Sequence, residues 1–125
     1  MKTKLLLAVQ IIAGSLLILF GLNGFLHFMP TPDANAQMAA FGGAVYQTGY
    51  IFPMMATFEI LAGIAFLANR YATLMAILVM PFMLNAFLAH LFLDMKGIAP
   101  SLIIVSSIII ILIKNRKSYS LIFKA

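Results

Sequence analysis

Residues 50–93 read YIFPMMATFEILAGIAFLANRYATLMAILVMPFMLNAFLAHLFL, and their only formal charges are Glu59 and Arg70. The triplet Asn69-Arg70-Tyr71 divides the stretch into two apolar runs, about 50–68 and 72–93. A hydrocarbon core ~30 Å thick is crossed by a helix of about 20 apolar residues, and each run has that length. The pair therefore predicts a hairpin of two membrane-crossing helices. A transmembrane barrel would show alternating ten-residue segments, and these runs show no alternation.

Working outward, a third apolar run covers about 5–28. It is broken only by Gln10, Ser15 and Asn23 and closes on His27. A fourth covers about 98–113, with Ser101, Ser106 and Ser107 as its polar groups. The expectation is an all-α protein, one domain over 1–125, built as a bundle of four transmembrane helices. Composition agrees: 64% of the 125 residues are hydrophobic and 9% charged, where an ordinary soluble domain has roughly 25% charged residues. A water-soluble domain this small cannot hide so much apolar surface. A soluble monomer, a disordered chain and a nucleic-acid-binding domain are excluded. Lys2 and Lys4 before the first run, with Ala34-Asn35-Ala36 after it, imitate a cleavable signal. The run is longer than the ~7–15 residues of such a signal and is followed by Pro30 and Pro32, so it is read as a span.

The net charge of +5 sets orientation. Lys2, Lys4, Arg70, Lys114, Arg116, Lys117 and Lys124 fall on one side of the predicted bundle and Lys96 alone on the other. Basic residues concentrate on the cytoplasmic side, so both termini are expected there. Tyr46, Tyr50 and Tyr71 stand where amphipathic rings meet headgroups. The longest loop, about 29–44, contains Thr31-Pro32-Asp33, a suitable helix start, followed by Met38, Phe41 and Val45 at helical spacing. A short interfacial helix is expected there. Asp94-Met95-Lys96-Gly97 reads as a tight outer turn, with Pro100 in the first turn of the last helix.

The candidate site is polar and lies within the membrane. Glu59 falls near the middle of its run with no lysine or arginine at that depth, and ionisable groups so placed usually mark a site. It is expected to keep its proton or to find a hydrogen-bonding neighbour. At ~1.5 Å per residue, Glu59 and Asn85 fall at similar depth, Asn23 lies shallower, and His27 and His90 sit near the outer surface. These five residues are the candidate ligand-binding set, forming an outward-facing pocket with Phe52, Met55, Phe66 and Leu88 as apolar walls. The inner half offers only Gln10, Ser15 and Thr73, too few for a channel. Pro81 is expected to kink its helix and free a carbonyl near Ile77. Gly14, Gly21 and Gly24 form a stripe for close helix packing, within the bundle or between copies. Two histidines alone are a weak basis for a haem site, and no catalytic or metal-ligating set is indicated. Without cysteine there is no disulfide, iron–sulfur ligation or thiol relay, so a redox role would come from a cofactor or partner. Leu22-Asn23-Gly24-Phe25-Leu26-His27 is faintly echoed by Leu84-Asn85-Ala86-Phe87-Leu88 with His90.

Phe20-Gly21-Leu22-Asn23-Gly24-Phe25-Leu26-His27-Phe28, Thr48-Gly49-Tyr50 with Pro53, Glu59-Ile60-Leu61-Ala62-Gly63, Asn69-Arg70, and Pro81 with Asn85 and His90-Leu91-Phe92-Leu93 together resemble the DoxX family of small membrane proteins. The likeness spans roughly the first three spans; the last run and the tail match in apolarity and basic ending only. It implies a four-helix bundle in the bacterial cytoplasmic membrane. Members of that family are tied to quinone-linked sulfur oxidation and to membrane complexes handling oxidative stress. The family supplies no agreed catalytic motif, and the lack of cysteine sets its thiol-exchange roles aside here. The expected function is an accessory subunit, not catalytic on its own, holding a quinone-like or other apolar molecule beside membrane redox partner proteins. A proton-coupled exporter using Glu59 and a structural membrane anchor, alone or as a homo-oligomer, are the alternatives.

Overall fold

The first apolar run forms α1, Lys2–Leu26, in a computed structural model that describes residues 2–30 and 33–124. The helix stops where His27 turns left-handed, with φ 52°. There the Asn23 side chain accepts the Met29 N–H at 2.8 Å, giving a donor beyond the helix end a partner. Thr31 and Pro32 lie outside the described residues. The loop helix α2 covers Ala36–Gln47, so the expected start at Thr31-Pro32-Asp33 is displaced: Asp33 is in irregular chain and Asn35 is the cap. Its side chain accepts the Met38 N–H at 2.9 Å. Its own N–H donates to Asp94 Oδ2 at 2.8 Å, and its amide donates to the Leu93 carbonyl. Contacts from a distant loop thus add to this local cap at the start of α2.

The apolar hairpin forms α3, Ile51–Ala68, and α4, Ala72–Phe92. Asn69 and Tyr71 in the turn are both left-handed, at φ 53° and 59°; asparagine tolerates that conformation better than most residues. Helix α4 stays one helix through Pro81. The last run forms α5, Ile98–Lys114, entered through Gly97 at φ 78°, where a side chain would be strained. After Asn115 come the short α6, Arg116–Tyr119, and a 3-10 turn, Ser120–Phe123. This tail bends 76° away from α5, and the Tyr119 hydroxyl donates back to the Leu112 carbonyl at 2.7 Å.

Every described element is helical. Three helices are long and apolar enough to cross a membrane, and four are if α5 and its bent tail count as one span. Large apolar side chains such as Ile11, Ile12, Leu61, Ile64, Leu74 and Ile103 are exposed around the bundle, a surface that suits lipid and not water. The four long helices pack in a ring, α1 on α3, α3 on α4, α4 on α5 and α5 on α1. The closest pair is α1 and α3. A Cβ on Gly63 would stand 2.7 Å from the Gly14 carbonyl oxygen, and one on Gly21 would stand 3.0 Å from that of Ala56. The backbones therefore nearly touch, in antiparallel register. The glycine stripe thus packs within the chain.

The interior is filled along only part of its length. Ala13, Leu17, Ala62, Phe66, Ala76, Val79, Ile108 and Ile111 form a buried core toward the α3–α4 turn, and Phe58 stacks on Phe82 at 5.2 Å between ring centres across α3 and α4. At the far end of that half Gln10, 1% exposed, donates to the Phe66 carbonyl at 3.0 Å and to Asn69 Oδ1 at 2.9 Å. It ties α1 to the last turn of α3 and satisfies a helix-end carbonyl.

Candidate functional site

The other half of the bundle, beside α2 and the α4–α5 turn, is hollow. A cavity of about 980 Å³ lies between all four long helices, at the upper end of the range for small-molecule sites. Its deepest residue on each helix is Phe20 on α1, Glu59 on α3, Met83 on α4 and Ile104 on α5. Met83 and Ile104 also belong to the buried core, so these four side chains mark the boundary between filled and hollow halves. The small residues Gly24, Ala56 and Ala86 line the wall above them, and their slight side chains leave the space open.

Four of the five expected ligand-binding residues line this cavity: Glu59, Asn23, His27 and His90. Glu59 is 5% exposed, and among the described residues no group donates to its carboxyl and no cation pairs with it. Asn23 spends its carbonyl oxygen on Met29, which leaves its NH₂ group as a donor. His90 does not bond Asp94 one turn on. Its Nδ1 lies 2.9 Å from the Lys96 carbonyl oxygen, an acceptor only, so Nδ1 carries the hydrogen and Nε2 is the free ring nitrogen. His27 is exposed at the rim.

The structure does not bring Asn85 to the cavity. It lies on the exposed face of α4, because Met83 and Ala86 take the inward positions and a residue two beyond Met83 is turned ~200° from it. Of the expected apolar walls, Phe52 and Met55 line the cavity, whereas Phe66 is in the core and Leu88 is exposed. Depth alone could not tell these faces apart. Lys96, Tyr46 and Ser101 also line the cavity and had not been assigned to it. The signal for Lys96 was present in its being the one basic residue on its side. Ser101 donates to the Ile98 carbonyl at 2.8 Å and so brings no free donor.

The mouth is braced by the two loops. Asp94 accepts from the Asn35 N–H at 2.8 Å and from the Lys96 N–H at 3.1 Å, which clasps the start of α2 to the α4–α5 turn. These two backbone donors hold the Asp94 carboxyl below the usual carboxylate range. Among the described residues no three His, Asp or Glu side chains gather as a metal site.

Chemically, the site is an apolar chamber with one unpaired carboxyl at its base and a few donors and acceptors near its mouth. An arrangement of this kind has the volume and the mostly apolar lining of a small-molecule site, with few polar groups. Among the described residues, the serine and threonine hydroxyls that donate hydrogen bonds give them to backbone carbonyls and none to a histidine or a carboxylate. No protein-family model, curated protein or solved structure matches the chain.

Proposed function

We propose that this is a multi-pass membrane protein of the bacterial cytoplasmic membrane that binds a quinone-like or similar apolar small molecule in the cavity between its four long helices. It serves there as a non-catalytic subunit beside membrane redox partners. The observation that carries the reading is the 980 Å³ chamber with Glu59 at its base. A carboxyl that no protein group satisfies in an apolar interior is costly, and a ligand carbonyl or hydroxyl would give it a partner. The cavity fits a quinone in volume and in having few polar groups on mostly apolar walls. Glu59 would hold a ring oxygen, Asn23 or His90 would bond a second polar atom, and Phe52 and Met55 would flank the ring. When bound, such a molecule supplies electron-carrying chemistry that the side chains lack.

The resemblance to the DoxX family supports the redox setting. The charge asymmetry supports cytoplasmic termini and an outward cavity, with α2 lying at the outer interface. A proton-coupled exporter would use the same unpaired carboxyl, but the filled half of the bundle favours a dead-ended pocket over a through route.

The test is thermal unfolding of the purified chain with a decyl-substituted benzoquinone as probe. The native protein is expected to gain stability with probe concentration, as binding to the folded state alone requires. Glu59→Leu is expected to lose that gain, while Asn85→Leu, outside the cavity, keeps it. An equal gain in Glu59→Leu, or none in the native chain, rejects the pocket.

A further inference from the structure

Helix α4 presents a regular face that nothing in the chain covers. Leu74, Leu78, Pro81, Asn85, Leu88 and Phe92 are all exposed, and their spacing runs four, three, four, three, four. That is the heptad spacing by which one helix packs along another. Ala72, Ala76, Val79 and Met83 hold the opposite, buried face, so the heptad face points away from the bundle. Its middle is polar. Asn85 lies about 4.5 Å from the midpoint of α4 at ~1.5 Å per residue, and its amide has no hydrogen-bond partner among the described residues. Pro81, one turn earlier on the same face, has no N–H, so the Ile77 carbonyl lacks its usual helical donor.

We infer that this face of α4 is the contact between two copies of the chain, joined by reciprocal hydrogen bonds between their Asn85 side chains. The inference rests on the membrane placement but not on the ligand. Hydrocarbon offers no partner to a side-chain amide, and asparagines in spans bind across helices. The amide carries both donor and acceptor, so it is complementary to itself. Copies of one chain insert with the same orientation, which makes the two α4 helices parallel. A two-fold axis along the membrane normal then sets Asn85 opposite Asn85 at one depth, flanked by Leu78 and Leu88. Such an interface is isologous and closes at the dimer. A lone asparagine in a heptad seam also fixes register.

Because the chain has no cysteine, single cysteines report on the contact without interference. The full chain carrying Leu88→Cys, in phospholipid vesicles, is expected to form disulfide-linked dimers under mild oxidation. Leu102→Cys, exposed on α5 and equally far from the connecting turn, is not. Energy transfer between labelled copies at varied protein-to-lipid ratio gives the association constant. Asn85→Leu is expected to weaken it roughly three- to thirty-fold, and Asn85→Gln to restore part of the loss. Helix content and the quinone-induced stabilisation stay unchanged in Asn85→Leu, so a misfolded variant is recognised and failure of the dimer is told apart from failure of the pocket. Native-like association of Asn85→Leu, equal crosslinking at both cysteines, or a different membrane protein held at Leu88→Cys in place of a second copy overturns the inference.

Discussion

Asp94 is where the two loops at the hollow end meet, and its charge is what they share. Because its pKa in the folded protein is lowered by the Asn35 and Lys96 N–H groups, its contribution is full above the ordinary carboxylate value. It is lost as pH falls from there through the lower folded value. Acidification across that window is expected to shift the Asn35 and Lys96 amide resonances together as the clasp opens. Asp94→Asn is expected to move them little with pH; a native-like acid transition in that variant would reject the assignment. Residue type and depth were legible in the sequence for Glu59, Asn23, His27 and His90. The facing of Asn85 was not, because α4 is apolar on its buried face (Ala72, Ala76, Val79, Met83) and on its exposed face (Leu74, Leu78, Leu88) alike, which leaves little polar–apolar periodicity to say which side is inward. Gln10 was visible as an inner polar group, but its bond to the end of α3 depends on a residue 56 positions away.

Among the elements, α1 and α3 are held by close packing of backbones. Lipid gives helices no hydrophobic drive to associate, so contact of small residues takes its place. Gly63→Ala would set a methyl group 2.5 Å from Ile18 Cγ1 and 2.7 Å from a backbone oxygen. Such overpacking is expected to cost about 1–3 kcal/mol in reversible unfolding in detergent. Gly43→Ala in α2 meets nothing within 4 Å and is expected to stabilise its helix by about 0.5–1 kcal/mol; similar effects at both sites would refute the contact. The spacing of Gly14, Gly21 and Gly24 marked α1 for close packing in advance, but α3 as the partner emerges only from the structure. The expected start of α2 falls too early: Asn35 is a local cap through its bond to the Met38 N–H, and its added ties to Asp94 and Leu93 come from a distant part of the chain.

At the scale of the molecule, the half near the α3–α4 turn is filled with side chains and the half near α2 is not. Amide exchange is expected to be faster over 49–56 and 97–101 than over 62–68 and 104–111. The decyl benzoquinone is expected to slow the first pair and leave the second alone; uniform slowing would mean that the probe acts on the bilayer instead. Four long helices could be counted from the sequence because four apolar runs are separated by polar turns; the first three match membrane thickness, and the last reaches it only with its bent tail. The division into filled and hollow halves could not, because it arises from which residues of different helices fall at one level.

That division carries a consequence for the protein in its cell. Side chains that line a cavity of about 980 Å³ make fewer dispersion contacts than those of the filled half, and a bound molecule can supply more. If the cavity takes a ligand as proposed, occupied copies outlast unoccupied ones under proteolysis, and the steady amount of this chain in the membrane rises and falls with the supply of that ligand.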